Sequence, residues 1–254
     1  MPRSPVANGT QPERRAGRRG LTPEDILRAA MEMADEDGIA TLSMRGLGKR
    51  LGVQAMSLYN HVKNKEDLLD GLVDLVIGEI ELPSPDERWE IGIRQCALSA
   101  YQVLLQHPWA CSLVMMPPSG GGRTSRMRYI EALLRQFREA GFSAELTYRA
   151  YHAVDSHVLG FTMWELGHSL AADIDPEVMG ELVAIVSTGD YPHLLEHSQQ
   201  HFSDRAGLQG EFEFGLDLVL EGLNRLHENE TSSKRTVRRR TKPATGLPPH
   251  STSS

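Results

Sequence analysis

Apolar residues recur every three or four positions through most of this chain, the spacing of helices that bury one face. The first such stretch opens at Thr22-Pro23-Glu24-Asp25. Thr22 is placed to cap free amides, Pro23 suits the first helical position, and the two acids complement the helix dipole. Ile26, Ala30, Met33 and Ala34 form its stripe, and Gly38 ends it. Ser43 heads a second, short helix with Met44, Leu47 and Leu51 on its inner face. The turn Gly52-Val53 then leads to a third, anchored by Leu58 and Val62. A fourth begins near Asn64, carries Glu66 and Asp67 in its first turn, and buries Leu68, Leu69, Leu72, Val76 and Ile80. After the break at Pro83-Ser84-Pro85, helical periodicity resumes at 86–106, 109–115, 124–140, 144–171, 176–187, 191–201 and 208–227. Almost no strand-like alternation is present. The expected fold class is all-α: a three-helix helix-turn-helix domain over residues 21–66 and a larger helical domain over 67–227.

Residues 1–20 and 228–254 lack this periodicity. The first stretch is rich in Pro, Gly and Arg, the second in Ser, Thr, Pro and Arg, and both are expected to be disordered basic segments. Charge is sharply segregated. Residues 1–20 and 228–254 each carry a net +4 and residues 66–227 a net −15, within a chain of −7. Gly38 to Lys65 holds five Lys/Arg residues and no acid. Most of the chain would repel a polyanion, so any nucleic-acid contact belongs to the N-terminal helices and the tails. No apolar run approaches the roughly 18 residues needed to cross a bilayer, and no secretory h-region is present. Cys96 and Cys111 lack the Cys-x-x-Cys spacing of a zinc site. A reducing, cytoplasmic setting is the expectation, and the sequence asks for no cofactor.

Residues 44–62 have what a helix-turn-helix requires: a bracing helix, a glycine-tolerant turn, and a second helix whose early residues face outward. Between the anchors Leu58 and Val62, the outward positions include Gln54, Ala55, Met56, Ser57, Tyr59, Asn60 and His61. Gln and Asn pair with adenine, Ser donates or accepts, and Ala or Met touches a thymine methyl. Arg45, Lys49, Lys63 and Lys65 are placed to reach phosphates, which supply affinity rather than specificity. A three-helix structural subdomain with a solvated basic face is the plain competitor.

The stretch Ser57-Leu-Tyr-Asn-His-Val-Lys-Asn-Lys-Glu-Asp-Leu-Leu-Asp70, preceded by Arg50-Leu-Gly-Val53, resembles the DNA-binding signature of the tetracycline-repressor family. The segments Leu104-Leu-Gln-His-Pro-Trp109, Gly141-Phe-Ser143 and Phe212 to Leu223 resemble the C-terminal domain of the tetracycline-repressor subgroup. The resemblance implies a transcriptional regulator, a repressor released from its operator by a small molecule. It implies that Arg45 contacts base and phosphate, that Gln54, Ala55, Met56 and Ser57 read bases, and that Tyr59, His61 and Lys65 clamp phosphates. It further implies a homodimer on a palindromic operator, with a ligand pocket in the C-terminal domain. Cys96, Met115, Met116, Phe137, Tyr151, His152, Asp155 and Trp164 are the candidates to line that pocket, each with core packing as the plain alternative. Met44 and Met56 depart from the tetracycline repressor, so its operator does not transfer. Positions that hold the drug and its metal there align with Glu81, Cys96, Val114 and Leu133. Val114 cannot ligate a hard cation and Leu133 cannot donate a hydrogen bond, which points to a different, more apolar ligand.

Two other classes compete. His193-Leu-Leu-Glu196-His197 fits a short metallopeptidase pattern, and His201 extends the same helical face, so a metal site or metallohydrolase is the enzyme alternative. A pure interaction protein, whose basic tails bind membrane or nucleic acid without sequence choice through counterion release, is the other.

Overall fold

The computed structural model describes residues 21–117, 124–171, 176–203 and 208–240. The basic segment 1–20, residues 118–123 and the part of the basic segment 228–254 beyond residue 240 lie outside the described residues. Among the described residues every regular element is helical, and the chain divides into two compact units, residues 1–68 and 69–254.

The first unit contains α1 (Pro23–Asp37), a 3-10 turn (Ile39–Thr41), α2 (Met44–Leu51) and α3 (Ala55–Leu58). Its boundaries follow from side chains that take up orphan amides. Thr22 Oγ1 accepts the Asp25 N–H at 3.2 Å while Asp25 Oδ2 accepts the Thr22 N–H at 3.1 Å, a reciprocal capping box. Ser43 Oγ accepts the Gly46 N–H at 3.2 Å and starts α2. Gly52, left-handed at φ 67°, ends α2, and the Val53 N–H returns to Gly48 O at 2.9 Å. Ile26, Ala30, Leu42, Leu47 and Leu58 form the buried centre.

Helix α4 (Lys65–Gly78) crosses from the first unit into the second. The second unit adds α5 (Trp89–Gln106), α6 (Ala110–Val114), α7 (Thr124–Glu139), α8 (Ala144–Ala171), α9 (Pro176–Val186), α10 (Pro192–Ser203) and α11 (Leu208–Arg240). Helix α8 packs against α5, α6, α7 and α11, as its all-round apolar pattern requires. Two aromatic clusters fix these crossings. Trp89 and Phe137 close on Phe142 at the α7–α8 turn, with centroids 5.0 and 5.3 Å from it. Tyr101 of α5 stacks on Phe212 of α11 at 4.1 Å, with Phe161 of α8 edge-on. Arg94 of α5 adds ion pairs to Glu213 and Asp217 of α11, at 2.8 and 2.9 Å.

The last helix departs from the sequence expectation. Apolar periodicity ends near residue 227, yet α11 continues to Arg240. Polar and aromatic contacts hold its next turn. His227 stacks flat on Phe142 at 4.4 Å, and Glu230 accepts the Ser143 hydroxyl at 2.7 Å and the Ser143 N–H at 3.3 Å. The Glu230 carboxylate thus lies at the start of α8, where the helix dipole favours it.

Candidate nucleic-acid interface and ligand cavity

The first unit presents α3 by burying one side of it. Leu58 is fully enclosed and Val62 nearly so, and this turns Gln54, Met56 and Tyr59 outward. Met56 is 72% exposed and Tyr59 45%, a costly way to place large apolar groups unless a partner covers them. Ala55 and Ser57 are half-buried, while Asn60 and His61 are exposed. Regular helix ends at Leu58 and does not reach 62. Beyond it the chain keeps curling through tighter bonds, His61 N–H to Leu58 O at 2.9 Å and Asn60 N–H to Ser57 O at 3.4 Å. Tyr59 and His61 therefore project from a turn that follows the helix.

The structure separates the five cations of the acid-free strip. Arg50 is committed within the unit: its guanidinium grips Glu36 at 2.6 and 2.9 Å and reaches Glu32 at 3.3 Å, tying α2 to α1. That grip holds the Glu36 carboxyl below its ordinary range. Arg45, Lys49, Lys63 and Lys65 make no ion pair among the described residues, and all but the half-buried Lys65 are exposed. At the start of α4, Asn64 Oδ1 takes the Asp67 N–H at 2.7 Å. Asp67 Oδ2 in turn takes the Lys63 N–H at 3.1 Å.

Gly48 is the residue of this motif that periodicity does not reveal. A Cβ there would lie 2.9 Å from Val53 O and 3.1 Å from Ala55 N, so α2 and α3 approach closely only because position 48 has no side chain. The spacing from the turn glycine, four residues before Gly52, is the one signal that could have marked it.

The second unit encloses a cavity of about 440 Å³. Val76, Ile77 and Ile80, from the end of α4 and just past it, form one wall. Ala100 and Leu104 of α5 form another, and Val158, Leu159 and Met163 of α8 a third. Arg126, Tyr129, Tyr151 and Asp155 supply the polar groups. Of the residues singled out from sequence, Met115, Tyr151 and Asp155 line it. The other five do not. Phe137 is sealed in the Trp89–Phe142 cluster, and Cys96 is buried beside Tyr129, with burial pushing its thiol up to about 12. Met116 is exposed; His152 faces outward and donates from Nδ1 to Tyr148 O at 2.8 Å; Trp164 is exposed and leans on Phe161. Val114 lines the cavity, whereas Leu133 is packed in the core. Burial raises the Asp155 carboxyl above its ordinary value, against the pull of His152 and Arg126. It also drives the Tyr129 phenol well up, with Cys96, Asp155 and Tyr151 adding to the effect.

The model of the family described as "Bacterial regulatory proteins, tetR family" matches residues 26–72. The one described as "Tetracyclin repressor-like, C-terminal domain" matches residues 82–226, more than half of the chain. The chain belongs to the tetracycline-repressor family. It is a helix-turn-helix transcriptional regulator. An HTH-type transcriptional regulator of Saccharopolyspora erythraea is 37% identical over 227 residues, covering 87% of this chain and 92% of that protein. Two solved structures of the family are similar throughout. The ActR protein of Streptomyces coelicolor, in complex with (S)-DNPA, aligns with a TM-score of 0.63 at 25% identity over 81% of this chain and 98% of that one. BioQ with its double-stranded DNA operator gives 0.56 at 27% identity over 80% of this chain and 98% of that one.

The histidine pattern of α10 falls inside the span matched by the C-terminal family model. His193, Glu196 and His197 are exposed, and among the described residues no three metal-ligating side chains converge. The His201 side chain lies outside the described residues. The metal-site alternative is left without support. Among the described residues no helix is long and apolar enough to cross a membrane.

Proposed function

We propose that this tetracycline-repressor-family protein is a homodimeric repressor that occupies a palindromic operator and leaves it when a small molecule fills the cavity of the second unit. The observation that carries the reading is the surface around α3. Gln54, Met56 and Tyr59 stand exposed about a fully buried Leu58, beside four cations that nothing within the described structure pairs. Gln54, Ala55, Met56 and Ser57 read base edges, Gln54 by a bidentate pair with adenine and Met56 against a thymine methyl. Arg45 contacts base and phosphate; Tyr59, His61 and Lys65 hold phosphates and set the register. A two-fold dimer places two such heads about 34 Å apart, one helical turn of DNA. The exposed apolar groups of α8 and α11, Trp164 and Tyr148 on one and Phe214, Leu218 and Leu226 on the other, supply surface for that dimer.

Helix α4 begins at Lys65, and its last turn carries Val76 and Ile77 of the cavity wall. An effector that binds one position of α4 better than the other shifts the DNA-binding equilibrium by that difference, typically about 1–3 kcal/mol. Selection of duplexes from a random pool, followed by mobility shift at several salt concentrations, tests the proposal. Tyr59→Ala and Lys65→Ala should weaken binding to all sequences alike, and Lys65→Ala should reduce the salt slope by about one. Gln54→Ala should change the preferred base at one position of each half-site. A selected site unchanged by Gln54→Ala would show that α3 does not read bases, and a monomer at assay concentration would remove the operator symmetry.

A further inference from the structure

The cavity of the second unit has a polar side. Eleven of its lining residues are aliphatic or Met, yet Tyr129, Tyr151 and Asp155 are gathered against them. Tyr129 is 7% exposed, and among the described residues neither its hydroxyl nor the Asp155 carboxylate makes a hydrogen bond. Arg126 is close enough to influence Asp155 but is not bonded to it. Its guanidinium donates to Val114 O at 2.6 Å and to Met116 O at 3.1 Å, holding the end of α6. Asp155 is half-buried, and a carboxylate set among apolar walls is disfavoured in its charged form unless a counter-charge contacts it. No side chain among the described residues provides that contact.

We infer that the cavity takes a cationic, largely apolar effector, an aromatic or polycyclic amine, whose protonated nitrogen sits on Asp155 between Tyr129 and Tyr151. The inference rests on the cavity being the effector site and names the class of molecule that site selects. Its volume suits a ligand of drug size. The aliphatic walls take the rings, the phenol oxygens accept from the ammonium, and the two tyrosine rings offer their faces to its charge. Long-range electrostatics act in the same direction. Residues 66–227 carry a net −15, a field that draws cations and turns anions away. Arg126 and the exposed His152 are the opposing charges near Asp155, and neither touches it.

Fluorescence titration of the DNA-free full chain with three dyes of similar size tests this: acridine orange (cation), N-phenyl-1-naphthylamine (neutral) and 8-anilinonaphthalene-1-sulfonate (anion). The wild type should bind the cation at least about tenfold more tightly than the anion, and the cation should displace the neutral dye. Asp155→Asn should weaken the cation by about tenfold or more and leave the neutral dye within about twofold. Tyr129→Phe should weaken the cation by a smaller factor, which gives a second variant of nearly unchanged shape. If the neutral dye binds but the anion equals the cation, or Asp155→Asn leaves the cation untouched, the inference is overturned while the effector site stands. If none of the three binds, the reading of the cavity as an effector site falls, and the inference with it.

Discussion

Replacing Gly48 by Ala isolates the contact on which the reading head depends. The added Cβ would lie 2.9 Å from Val53 O, 3.1 Å from Ala55 N and 3.3 Å from Ala55 Cα, all backbone atoms of the turn and of α3. No rotamer change can relieve that, so the turn and α3 must move outward by several tenths of an ångström. Overpacking of this kind costs about 1–3 kcal/mol. Against it stands the gain of Ala over Gly within α2, about 1 kcal/mol. The net expectation is a loss of about 1 kcal/mol, in a unit whose few buried side chains leave little margin.

Gly46→Ala is the control in the same helix. Its Cβ would meet Ser43 Oγ at 3.1 Å and Met33 Cε at 3.4 Å, ends of side chains that can turn away, so the propensity gain survives. Hydrogen exchange at the α2 amides should report an opening free energy lower for Gly48→Ala than for Gly46→Ala by about 1–2 kcal/mol. Operator affinity should fall with Gly48→Ala beyond what stability explains, because α3 itself is displaced. Equal protection in the two variants, with equal affinity, would refute the close α2–α3 approach and the head geometry built on it.

Three further outcomes test the second unit. Asp155→Asn should raise the melting temperature at pH 7, since burial holds the folded carboxyl above 3.8 and disfavours its charge. A raised folded pKa means stability present at low pH and lost as pH rises through that value, so the advantage of Asn should vanish as pH falls towards 3.8. Glu230→Ala should cost about 0.5–1.5 kcal/mol by urea unfolding and expose the first turn of α8 to hydrogen exchange, because two bonds to Ser143 are lost. Asp74→Ala should cost about 0.5–2 kcal/mol, since Asp74 Oδ1 on α4 takes the N–H groups of Ser125 and Arg126 at 3.0 and 3.2 Å and thereby caps α7. It should also blunt effector release of the operator in a titrated mobility shift, because the capped turn carries Arg126 of the cavity to α4.

What the sequence disclosed was local. Thr22, Ser43 and Gly52 act within three or four residues, and the structure uses each as its chemistry dictates. The faces of α1, α2 and α4 follow from periods of 3.6, since a stripe of Ile, Leu and Val has one stable destination. The exposed set on α3 was legible for a different reason: polar and amphipathic types between two anchors cannot all turn inward.

The cavity was not legible in the same way, and the reason is geometric. An apolar side chain facing a void and one facing a neighbour have the same position in a helical stripe; only the crossing of other helices tells them apart. Phe137 and Val158 illustrate this, the first sealed among rings and the second on the cavity wall, from equally apolar faces. Arg126 of the cavity and Asp74, which caps the turn beside it, were hidden by the opposite route. Arg126 and Asp74 look like surface charges in the sequence because their partners are backbone groups 10 to 52 residues away, Met116 O and the Ser125 and Arg126 amides. Glu230 is the same case at greater range, 87 residues from Ser143, and for want of it α11 was expected to end early. A lone acid within an apolar helix remains the exception that a sequence does flag. Asp155 has aromatic and aliphatic neighbours on both sides in α8, and the cost of enclosing it there without a protein partner is what makes it the point where a ligand's charge is read.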